Sequence, residues 1–419
     1  MSWLIGAIVL LLAIVGAPVF SIIAGGALYA FHRAAIDSSA VIIEMLRLAS
    51  MPALIAIPLF TFSGYVLAES NSPKRILRLA RAMFDWLPGG IAAVALVSTA
   101  LFTAFTGASG VTIIALGGLL YPILREKGYP ENFTLGLLTT TGSLGLLFPP
   151  SLPIILYGLV AKVSIDQLFR AGAIPGLFLL VLLAVYAIWT GRRAGVKSSP
   201  FSWKELGLAA RESIWEIPLP FIVIGGIYLG WFTASEAATV MAFYTLVVEV
   251  FIYRDLSLTG DIPRVVRESM MLVGAIFVVL GTALGFTNYL IDQEIPAAIF
   301  TWLHSFVTSK YAFLVILNAF LLVVNMIEIF SAIIIVVPII APVAAQYGID
   351  PVHLGIIFLL NLEIGYMTPP LGLNLFLSSR RFDAPLTKLY VAVFKFWLML
   401  LAALLVVTYF PSMSLWLLN

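Results

Sequence analysis

Two stretches of this sequence place paired prolines where an apolar helix would otherwise continue. The first is "LGLLFPPSLPII", around Pro149 and Pro150, and the second is "IGYMTPPLGLNLF", around Pro369 and Pro370. Proline donates no backbone hydrogen bond and clashes with the carbonyl four residues back, so each pair should break its helix. The residue before a proline is also driven towards an extended conformation. The sequence therefore predicts two broken helices.

Helices broken in this way expose carbonyl oxygens that are able to bind a cation. We expect the carbonyls of Gly145 and Leu146, and those of Gly365 and Tyr366, to lose their helical partners. Bare carbonyls at membrane depth are tolerated only inside protein or beside a water-filled cavity. Carbonyl dipoles in such a cavity suit a hard alkali cation such as Na⁺. A proline kink without a ligand is the alternative interpretation.

Two further stretches carry small or oxygen-bearing residues that fit the tips of helical hairpins. The hydroxyls of "FTAFTGASGVT" belong to Thr103, Thr106, Ser109 and Thr112. In "LVVNMIEIFSA", Asn325 and Glu328 lie within an apolar run. A carboxylate there costs about 2.5–3.5 kcal/mol on insertion scales, so Glu328 should face a cavity or a cation, or be protonated. Glu363 is interpreted as a structural or gating partner.

The composition indicates a polytopic membrane protein. Of 419 residues, 62% are hydrophobic and 11% are charged, whereas about 25% of the residues in soluble proteins are charged. The absence of cysteine excludes disulfides, thiolate metal sites and cysteine nucleophiles. The three histidines form no H-E-x-x-H motif. The few Lys and Arg residues lie between apolar runs, so we expect no nucleic-acid binding.

Apolar runs of about 20 residues, the length that a membrane helix needs, predict nine spans, at 3–31, 51–70, 132–162, 172–190, 217–232, 235–253, 269–291, 353–379 and 390–409. The first is interpreted as a retained span and not as a signal peptide. Two other runs, 86–124 and 311–349, are equal in length and too long for one span. Each would form a helix about 58 Å long, twice the ~30 Å hydrocarbon core. Each is therefore either two full spans or a re-entrant hairpin.

Basic segments between the spans predict the orientation, because Lys and Arg concentrate on the cytoplasmic side. The distribution of the basic segments agrees with a topology in which 86–124 starts and ends in the cytoplasm and 311–349 starts and ends outside. The N-terminus then lies in the cytoplasm and the C-terminus in the periplasm. The basic run "KRILRLAR" fits an amphipathic helix on the inner surface. Thr233 and Glu236 predict a capping box for the helix that follows them.

The chain contains two copies of one unit. Five Pro and Gly positions of the first copy recur in the second copy at one constant spacing: Pro122, Gly128, Gly145, Pro149 and Pro150 match Pro342, Gly348, Gly365, Pro369 and Pro370. Each unit consists of a span, a hairpin and a broken span. Because the charge distribution gives the two copies opposite orientations, the chain is predicted to be an inverted repeat. Broken helices in corresponding positions of such repeats mark the binding site of secondary transporters.

Six stretches resemble the large membrane subunit of tripartite ATP-independent periplasmic (TRAP) transporters. They are "AIPLFTFSG" (56–64), "FPPSLPIILYG" (148–158), "LFRAGAIPG" (168–176), "GWFTASEAA" (230–238), "YGIDPVHLGII" (347–357) and "IGYMTPPLGLNLF" (364–376). The resemblance implies an all-α fold of the elevator type in the bacterial inner membrane. It also implies Na⁺-driven uptake of an organic acid anion, such as sialic acid or a C4-dicarboxylate. The implied partners are a periplasmic binding protein (P type) that delivers the substrate and a small four-helix membrane subunit (Q type).

On this basis the predicted scaffold comprises helices and an amphipathic arm in 1–85 and helices and arms in 171–309. The predicted transport domain comprises 86–170 and 310–380, each a hairpin with a broken helix, and 381–419 is a C-terminal helix. The hypothesis places Na⁺ at Thr106, Gly107, Ser109, Gly142, Gly145, Pro149, Asn325, Glu328, Gly365, Thr368 and Pro369. It places the substrate at Thr103, Gly110, Thr112, Ser143, Pro150, Pro370 and Asn374. We predict no catalytic residue.

Three other functions are compatible with parts of the sequence. A Na⁺- or H⁺-coupled carboxylate carrier that works without a binding protein has the same features. A channel is a second alternative. The tetrapeptide "GASG" also matches the rhomboid serine protease motif, with Ser109 as the nucleophile and His304 or His353 as the base. We favour the transporter, because a rhomboid is not built as a long inverted repeat.

Overall fold

A computed structural model describes residues 11–12, 17–34, 37, 39–87, 89–196, 198–324 and 329–418. Within these residues the chain is helical and contains no β-strand. Helices satisfy their own backbone groups, which lipid cannot do. Six helices are long and apolar enough to cross a membrane: Pro52–Glu69, Ile165–Arg193, Ala234–Ile252, Asp261–Asp292, Ile329–Gln346 and Leu386–Tyr409. Shorter helices outside the hairpins and broken helices are Val19–Arg33, Ser39–Ala49, Ser72–Phe84, Trp203–Glu212, Pro218–Tyr228, Ile295–His304 and Ser412–Leu415.

Several predicted spans differ in length from the helices in the structure. The span predicted at 269–291 is part of the helix Asp261–Asp292, because a helix continues through polar residues that hydropathy excludes. The span predicted at 217–232 contains only the short helix Pro218–Tyr228, which ends before Gly230 (φ +75°). The start of the span predicted at 3–31 lies outside the described residues.

The first repeat contains a hairpin and a broken helix. The first hairpin (90–126) has one arm at Gly90–Thr106 and a second arm that runs from Ser109 to Glu126. The second arm passes through a π-helical turn at Ile113–Gly117. The first broken helix (131–161) consists of Glu131–Leu147 and Leu152–Ala161, which meet at 45°. The predicted break at the first Pro-Pro pair is confirmed.

The second repeat reproduces these elements with nearly the same spacing. The second hairpin (310–346) has arms at Lys310–Val324 and Ile329–Gln346, and the second broken helix (351–382) consists of Pro351–Gly365 and Leu373–Phe382. The hairpins start at Gly90 and Lys310, and the broken helices start at Glu131 and Pro351, so both pairs keep the spacing of the matched prolines and glycines. The duplication inferred from a few Pro and Gly residues therefore extends to the boundaries of whole helices.

The two repeats exchange contacts. The second half of the first broken helix packs on the arm Ile329–Gln346 of the second hairpin. In the matching way, the second half of the second broken helix packs on the second arm of the first hairpin. Because each repeat completes the other, the two hairpins and two broken helices form one unit, the central block (90–161 and 310–382).

The helix Ser72–Phe84, the arm helix, is tied to the outer helices through Arg75. Its guanidinium group contacts Glu216, and it lies 2.8 Å from a carboxylate oxygen of Glu249 and 2.6 Å from one of Asp255. Burial raises the pKa of Glu216 above its usual value although Arg75 opposes the shift. The pKa of Asp255 is lowered, because hydrogen bonds from Asn71 and Arg75 outweigh its burial. The predicted amphipathic arm is therefore anchored by a charge cluster.

Candidate functional site

A buried pair of hydroxyls joins the first hairpin to the first break. Thr103 Oγ1 lies 2.8 Å from Thr112 Oγ1 and 3.0 Å from the carbonyl oxygen of Gly142. The first arm ends at Gly107, whose φ of +65° is a left-handed conformation that glycine adopts without a steric penalty. The fold therefore brings three predicted site residues, Thr103, Thr112 and Gly142, into one cluster.

Two glycines allow the break to lie directly against the hairpin. A Cβ atom on Gly145 would lie 2.4 Å from the carbonyl oxygen of Ala100 and 2.4 Å from the backbone nitrogen of Ala104. A Cβ on Gly142 would lie 2.6 Å from the side chain of Ile113. Real Cβ atoms do not approach backbone this closely, so a larger residue at 145 must displace the hairpin. The sequence hypothesis assigned both glycines to the Na⁺ site. The structure shows in addition that both lie in tight packing contacts, where a side chain does not fit without a shift of the neighbouring atoms.

The first break is tighter than predicted. The chain leaves the helix through the 3₁₀ turn Leu144–Leu147 and is extended at Phe148, where ψ is 144°. The carbonyl oxygen of Gly145 accepts a hydrogen bond from the backbone nitrogen of Phe148 at 3.1 Å. The prediction that this carbonyl is bare is therefore wrong, because a shorter 3₁₀-type bond replaces the helical bond that Pro149 cannot make.

The carbonyls at the second break are also paired. Gly365 accepts a hydrogen bond from the backbone nitrogen of Thr368 at 3.1 Å, and Tyr366 accepts one from that of Asn374 at 3.0 Å. The prediction of bare carbonyls is wrong here too: Gly365 makes the same 3₁₀-type bond as Gly145, and Tyr366 is paired because the chain turns back on itself after the break. The side chain of Thr368 is held as well, because its Oγ1 accepts a hydrogen bond from Trp397 Nε1 at 2.9 Å. These oxygens at the second break are therefore already engaged in hydrogen bonds within the protein.

The two breaks differ in accessibility. Pro149 and Pro150 are buried, whereas Pro369 and Pro370 are exposed. Leu371, which follows the second pair, is 54% exposed. The repeats are thus similar in sequence and helix boundaries but unequal in surface exposure.

A layer of polar side chains connects the two breaks. Thr139 Oγ1 lies 2.8 Å from Ser378 Oγ, and Asn374 Nδ2 donates to the carbonyl oxygen of Thr139 at 3.1 Å. Thr140 Oγ1 lies 3.6 Å from the sulfur of Met367. Of these residues, the sequence hypothesis named only Asn374. The missed signal was the run of three threonines that ends the α-helical part (Glu131–Thr141) of this first half, immediately before Gly142.

Several buried side-chain oxygens near the breaks have no hydrogen-bond partner in the described part of the chain, and two of them belong to Thr141 and Asn374. The side chains of Thr141 and Asn374 are buried, and neither Thr141 Oγ1 nor Asn374 Oδ1 has a partner among the residues that the structure describes. A buried polar atom without a partner costs about 1–3 kcal/mol. Neutral oxygens of this kind fit Na⁺, a hard cation. The described chain holds no cluster of three His, Cys, Asp or Glu residues that would bind a transition metal.

A buried carboxyl group lies two residues before the second break. Glu363 is 1% exposed, and neither of its carboxyl oxygens has a hydrogen-bond partner in the described part of the chain. Within the described residues, no group forms a hydrogen bond with Glu363, so the interpretation of Glu363 as a structural partner has no support there. An unpaired buried charge is costly, so this group must carry a proton or meet a cation.

The remaining predicted site residues lie at the hairpin tips and beside the breaks. Thr106 and Ser109 are buried on either side of the first tip. Gly110 faces Leu377, since a Cβ there would lie 2.8 Å from a methyl group of that leucine. Ser143 Oγ donates to the carbonyl oxygen of Thr140 at 3.2 Å. The other two predicted ligands, Asn325 and Glu328, lie outside the described residues.

The histidines do not have the geometry of a protease base. His353 Nδ1 lies 3.1 Å from Ser414 Oγ, and its Nε2 lies 3.3 Å from the carbonyl oxygen of Thr408. His304 stacks on Phe300, with their ring centroids 5.0 Å apart. Both ring nitrogens of His353 are thus engaged away from Ser109. The structure gives no support to the serine protease alternative.

Paired hairpins and paired broken helices from two repeats define a polytopic membrane protein of the secondary transporter class. Residues 4–413 match the family described as "Tripartite ATP-independent periplasmic transporter, DctM component". The chain belongs to this family of TRAP transporter large permeases, which confirms the resemblance inferred from the six sequence stretches.

Curated relatives cover most of the chain. It is 37% identical to the C4-dicarboxylate TRAP transporter large permease protein DctM of Pseudomonas aeruginosa, over 86% of this chain and 85% of that protein. It is 35% identical to the isethionate TRAP transporter permease protein DctMQ of Oleidesulfovibrio alaskensis, over 86% of this chain and 57% of that protein. Among solved structures, the Alcanivorax borkumensis YdaH transporter has a similar fold, with a TM-score of 0.58, 15% identity and coverage of 87% of this chain and 85% of that chain.

Proposed function

We propose that this chain takes up a small organic acid anion across the bacterial inner membrane, driven by the entry of Na⁺. The central block moves against the other helices and carries the anion and the ions together. The observation that carries this proposal is the pair of buried, unpartnered oxygens of Thr141 and Asn374, beside the layer that joins the two breaks. These oxygens, Thr103 and Thr112 would provide neutral ligands on both repeats.

Na⁺ at this site would help to hold an anion. Thr103, Thr112 and Ser143 would contribute hydroxyls from the first repeat, and Asn374, which donates to the carbonyl oxygen of Thr139, would contribute an amide from the second. A carboxylate bound there would be stabilised by the cation and by these donors. Each net positive charge that enters at 100 mV contributes about 2.3 kcal/mol, so one surplus Na⁺ supports roughly fiftyfold accumulation.

The relatives suggest which substrates to test first. One is named for C4-dicarboxylates and another for isethionate, both small organic anions. We therefore propose a small organic acid, with C4-dicarboxylates tested first and sialic acid next. We further propose a periplasmic binding protein and a small membrane subunit as partners. In support, the relative named DctMQ has a considerable length beyond the part that matches this chain.

The test is uptake of radiolabelled organic acids by proteoliposomes, with an inward gradient of Na⁺ or of choline. We expect uptake with Na⁺ only, and only when the small subunit and the binding protein are present. Equal uptake in choline would disprove the Na⁺ coupling. Uptake by the isolated chain would favour the stand-alone carrier, and an ohmic single-channel current would favour a channel.

A substitution tests, in the same uptake assay, whether Thr141 is a ligand of the ion. Thr141→Val removes a hydroxyl that has no partner in the described chain, so the fold should remain intact. We expect roughly a tenfold or larger increase in the Na⁺ concentration for half-maximal uptake, since a lost ligand bond is worth at least about 1.4 kcal/mol. The control is Thr245→Val, whose hydroxyl bonds its own helix at 2.8 Å, outside the central block. Equal Na⁺ dependence in both variants would exclude Thr141 as a ligand.

A further inference from the structure

A pocket of about 550 Å³ lies between the arm helix, the first hairpin, the segment 199–202 and Glu205. We call it the interfacial pocket. Its basic wall is one face of the arm helix, with Lys74, Arg78 and Arg81, and its apolar floor includes Leu119 and Ile123 of the hairpin. The pocket therefore combines a cationic wall with an apolar floor, which is the chemistry of an amphiphile site.

The charges of this pocket leave a positive excess. Arg78 is paired with Glu205 and Glu212, and Asp85 is paired with Lys127 at 3.0 Å. Lys74 and Arg81, in contrast, form no salt bridge with any residue that the structure describes. Lys74 donates only to the amide oxygen of Asn71, at 3.0 Å. Arg78 is shared by two carboxylates, so these groups together with Lys74 and Arg81 leave a net excess of one positive charge at the pocket, which favours an anionic occupant.

The surroundings of the pocket have the residue types that are typical of a membrane interface. Trp86 and Phe201 line it and are 46% and 40% exposed. Trp203 stands next to Phe201, with ring centroids 4.8 Å apart, and is 78% exposed. Exposed tryptophans collect where headgroups meet acyl chains. The hairpin floor also ends here, where the apolar run 86–124 gives way to charged residues.

We propose that the interfacial pocket binds one acidic phospholipid. Its phosphate lies between Lys74 and Arg81, and an acyl chain runs along Leu119 and Ile123 beside Trp86. Basic residues at a membrane surface attract acidic lipids, by about fivefold in the binding constant for each residue. A net excess of one positive charge should therefore give a preference of roughly fivefold for phosphatidylglycerol over phosphatidylcholine.

The experiment is native mass spectrometry of the full chain, titrated with dioleoyl phosphatidylglycerol or with dioleoyl phosphatidylcholine. We expect one tightly retained phosphatidylglycerol and the preference given above. The double variant Lys74→Gln with Arg81→Gln should lose the preference. The control Lys204→Gln with Arg211→Gln removes the same charge from the neighbouring helix Trp203–Glu212, outside the pocket, and should keep it.

Two outcomes would overturn the proposal: equal binding of the two lipids by the unmodified chain, or an equal loss of preference in both double variants. A free anion is distinguished by adding excess inorganic phosphate, because displacement of the lipid by phosphate alone would mean a small-anion site. Fluorescence gives a second readout that does not depend on the charge variants. Phosphatidylglycerol with brominated acyl chains should quench Trp86, and quenching unchanged by Trp86→Phe would contradict the placement of the acyl chain.

Discussion

Thr139 and Ser378 are 239 positions apart in the sequence, yet their hydroxyl oxygens are 2.8 Å apart in the buried interior. Thr139 lies in the first half of the first broken helix, and Ser378 lies in the second half of the second. The hydrogen bond therefore joins the two repeats beside both breaks. It makes the breaks neighbouring parts of one block, and no rule of local sequence would have paired these residues.

The first prediction concerns this pair. A disulfide between cysteines introduced by Thr139→Cys and Ser378→Cys should leave Na⁺-driven uptake largely intact, because both residues move together in the central block. The native chain has no cysteine, so an oxidant acts only on the introduced pair. Uptake is measured before and after oxidation, with each single variant as a control. Loss of uptake on oxidation, restored by reduction, would show that the two repeats must move relative to each other.

The second prediction concerns the contact between the block and the helix Pro52–Glu69. A Cβ on Gly64 would lie 2.5 Å from the Cα of Thr106, at the first hairpin tip. Gly64→Ala should therefore push the hairpin away and disfavour this state by about 1–3 kcal/mol, which corresponds to roughly a five- to 150-fold shift. The readout is the uptake rate together with the reactivity of a cysteine introduced at Ser109, with Gly207→Ala as the control, since a Cβ there meets open space.

Gly145→Ala tests a contact within the block, because its Cβ would meet the first hairpin. Here we expect a loss of about 1–3 kcal/mol in the free energy of unfolding, with a lower melting temperature in detergent. The two variants should therefore differ. If both lowered the melting temperature equally and left the reactivity of the cysteine at position 109 unchanged, Gly64 would be a packing contact only, and the hairpin would not move relative to the helix Pro52–Glu69.

The third prediction compares two arginines on the arm helix. Arg75→Gln leaves Glu216, Glu249 and Asp255 without their cation in a cluster where Arg75 is 12% exposed. We expect a loss of about 3–5 kcal/mol in the free energy of unfolding. Arg78→Gln also removes contacts to two carboxylates, but Arg78 is 39% exposed, and exposed pairs contribute at most about 1 kcal/mol.

The measurement is thermal unfolding of both variants under identical conditions. Adding Glu249→Gln to the Arg75→Gln chain should recover part of the loss, since it removes one buried charge. Similar melting temperatures for the Arg75→Gln and Arg78→Gln chains would mean that burial does not set the strength of these pairs.

The fourth prediction concerns Glu363. Glu363→Leu removes a buried carboxyl group that has no partner in the described chain, so the free energy of unfolding should rise by about 1–3 kcal/mol. Uptake should fall, because a costly unpaired group next to a break is expected to serve the bound ion. The control is Asn361→Leu on the same helix, which breaks a 2.8 Å hydrogen bond to Asn318 and should lower stability. A Glu363→Leu chain that melts earlier and transports normally would contradict both expectations.

Local rules made much of the architecture predictable. The Pro-Pro pairs break their helices as expected, the constant spacing of the repeated prolines and glycines matches the starts of the hairpins and broken helices, and the capping box of Thr233 and Glu236 is formed. Each of these features depends on residues a few positions apart, or on a pattern that is copied along the chain. Proline and capping chemistry act over that distance, so the sequence could specify them without the fold.

The candidate site was only partly predictable, since long-range packing decides it. The sequence suggested bare carbonyls at Gly145 and Gly365, but each accepts a hydrogen bond from the backbone nitrogen three residues further on, just before the Pro-Pro pair. Unpaired oxygens in the described chain lie instead on side chains, those of Thr141 and Asn374 among them, and Asn374 contacts Thr139 because one repeat packs against the other. The sequence by itself determined where the helices break and that the two halves match. The tertiary structure decided which oxygens remain free, because hydrogen-bond partners from opposite halves of the chain are chosen by how the helices pack.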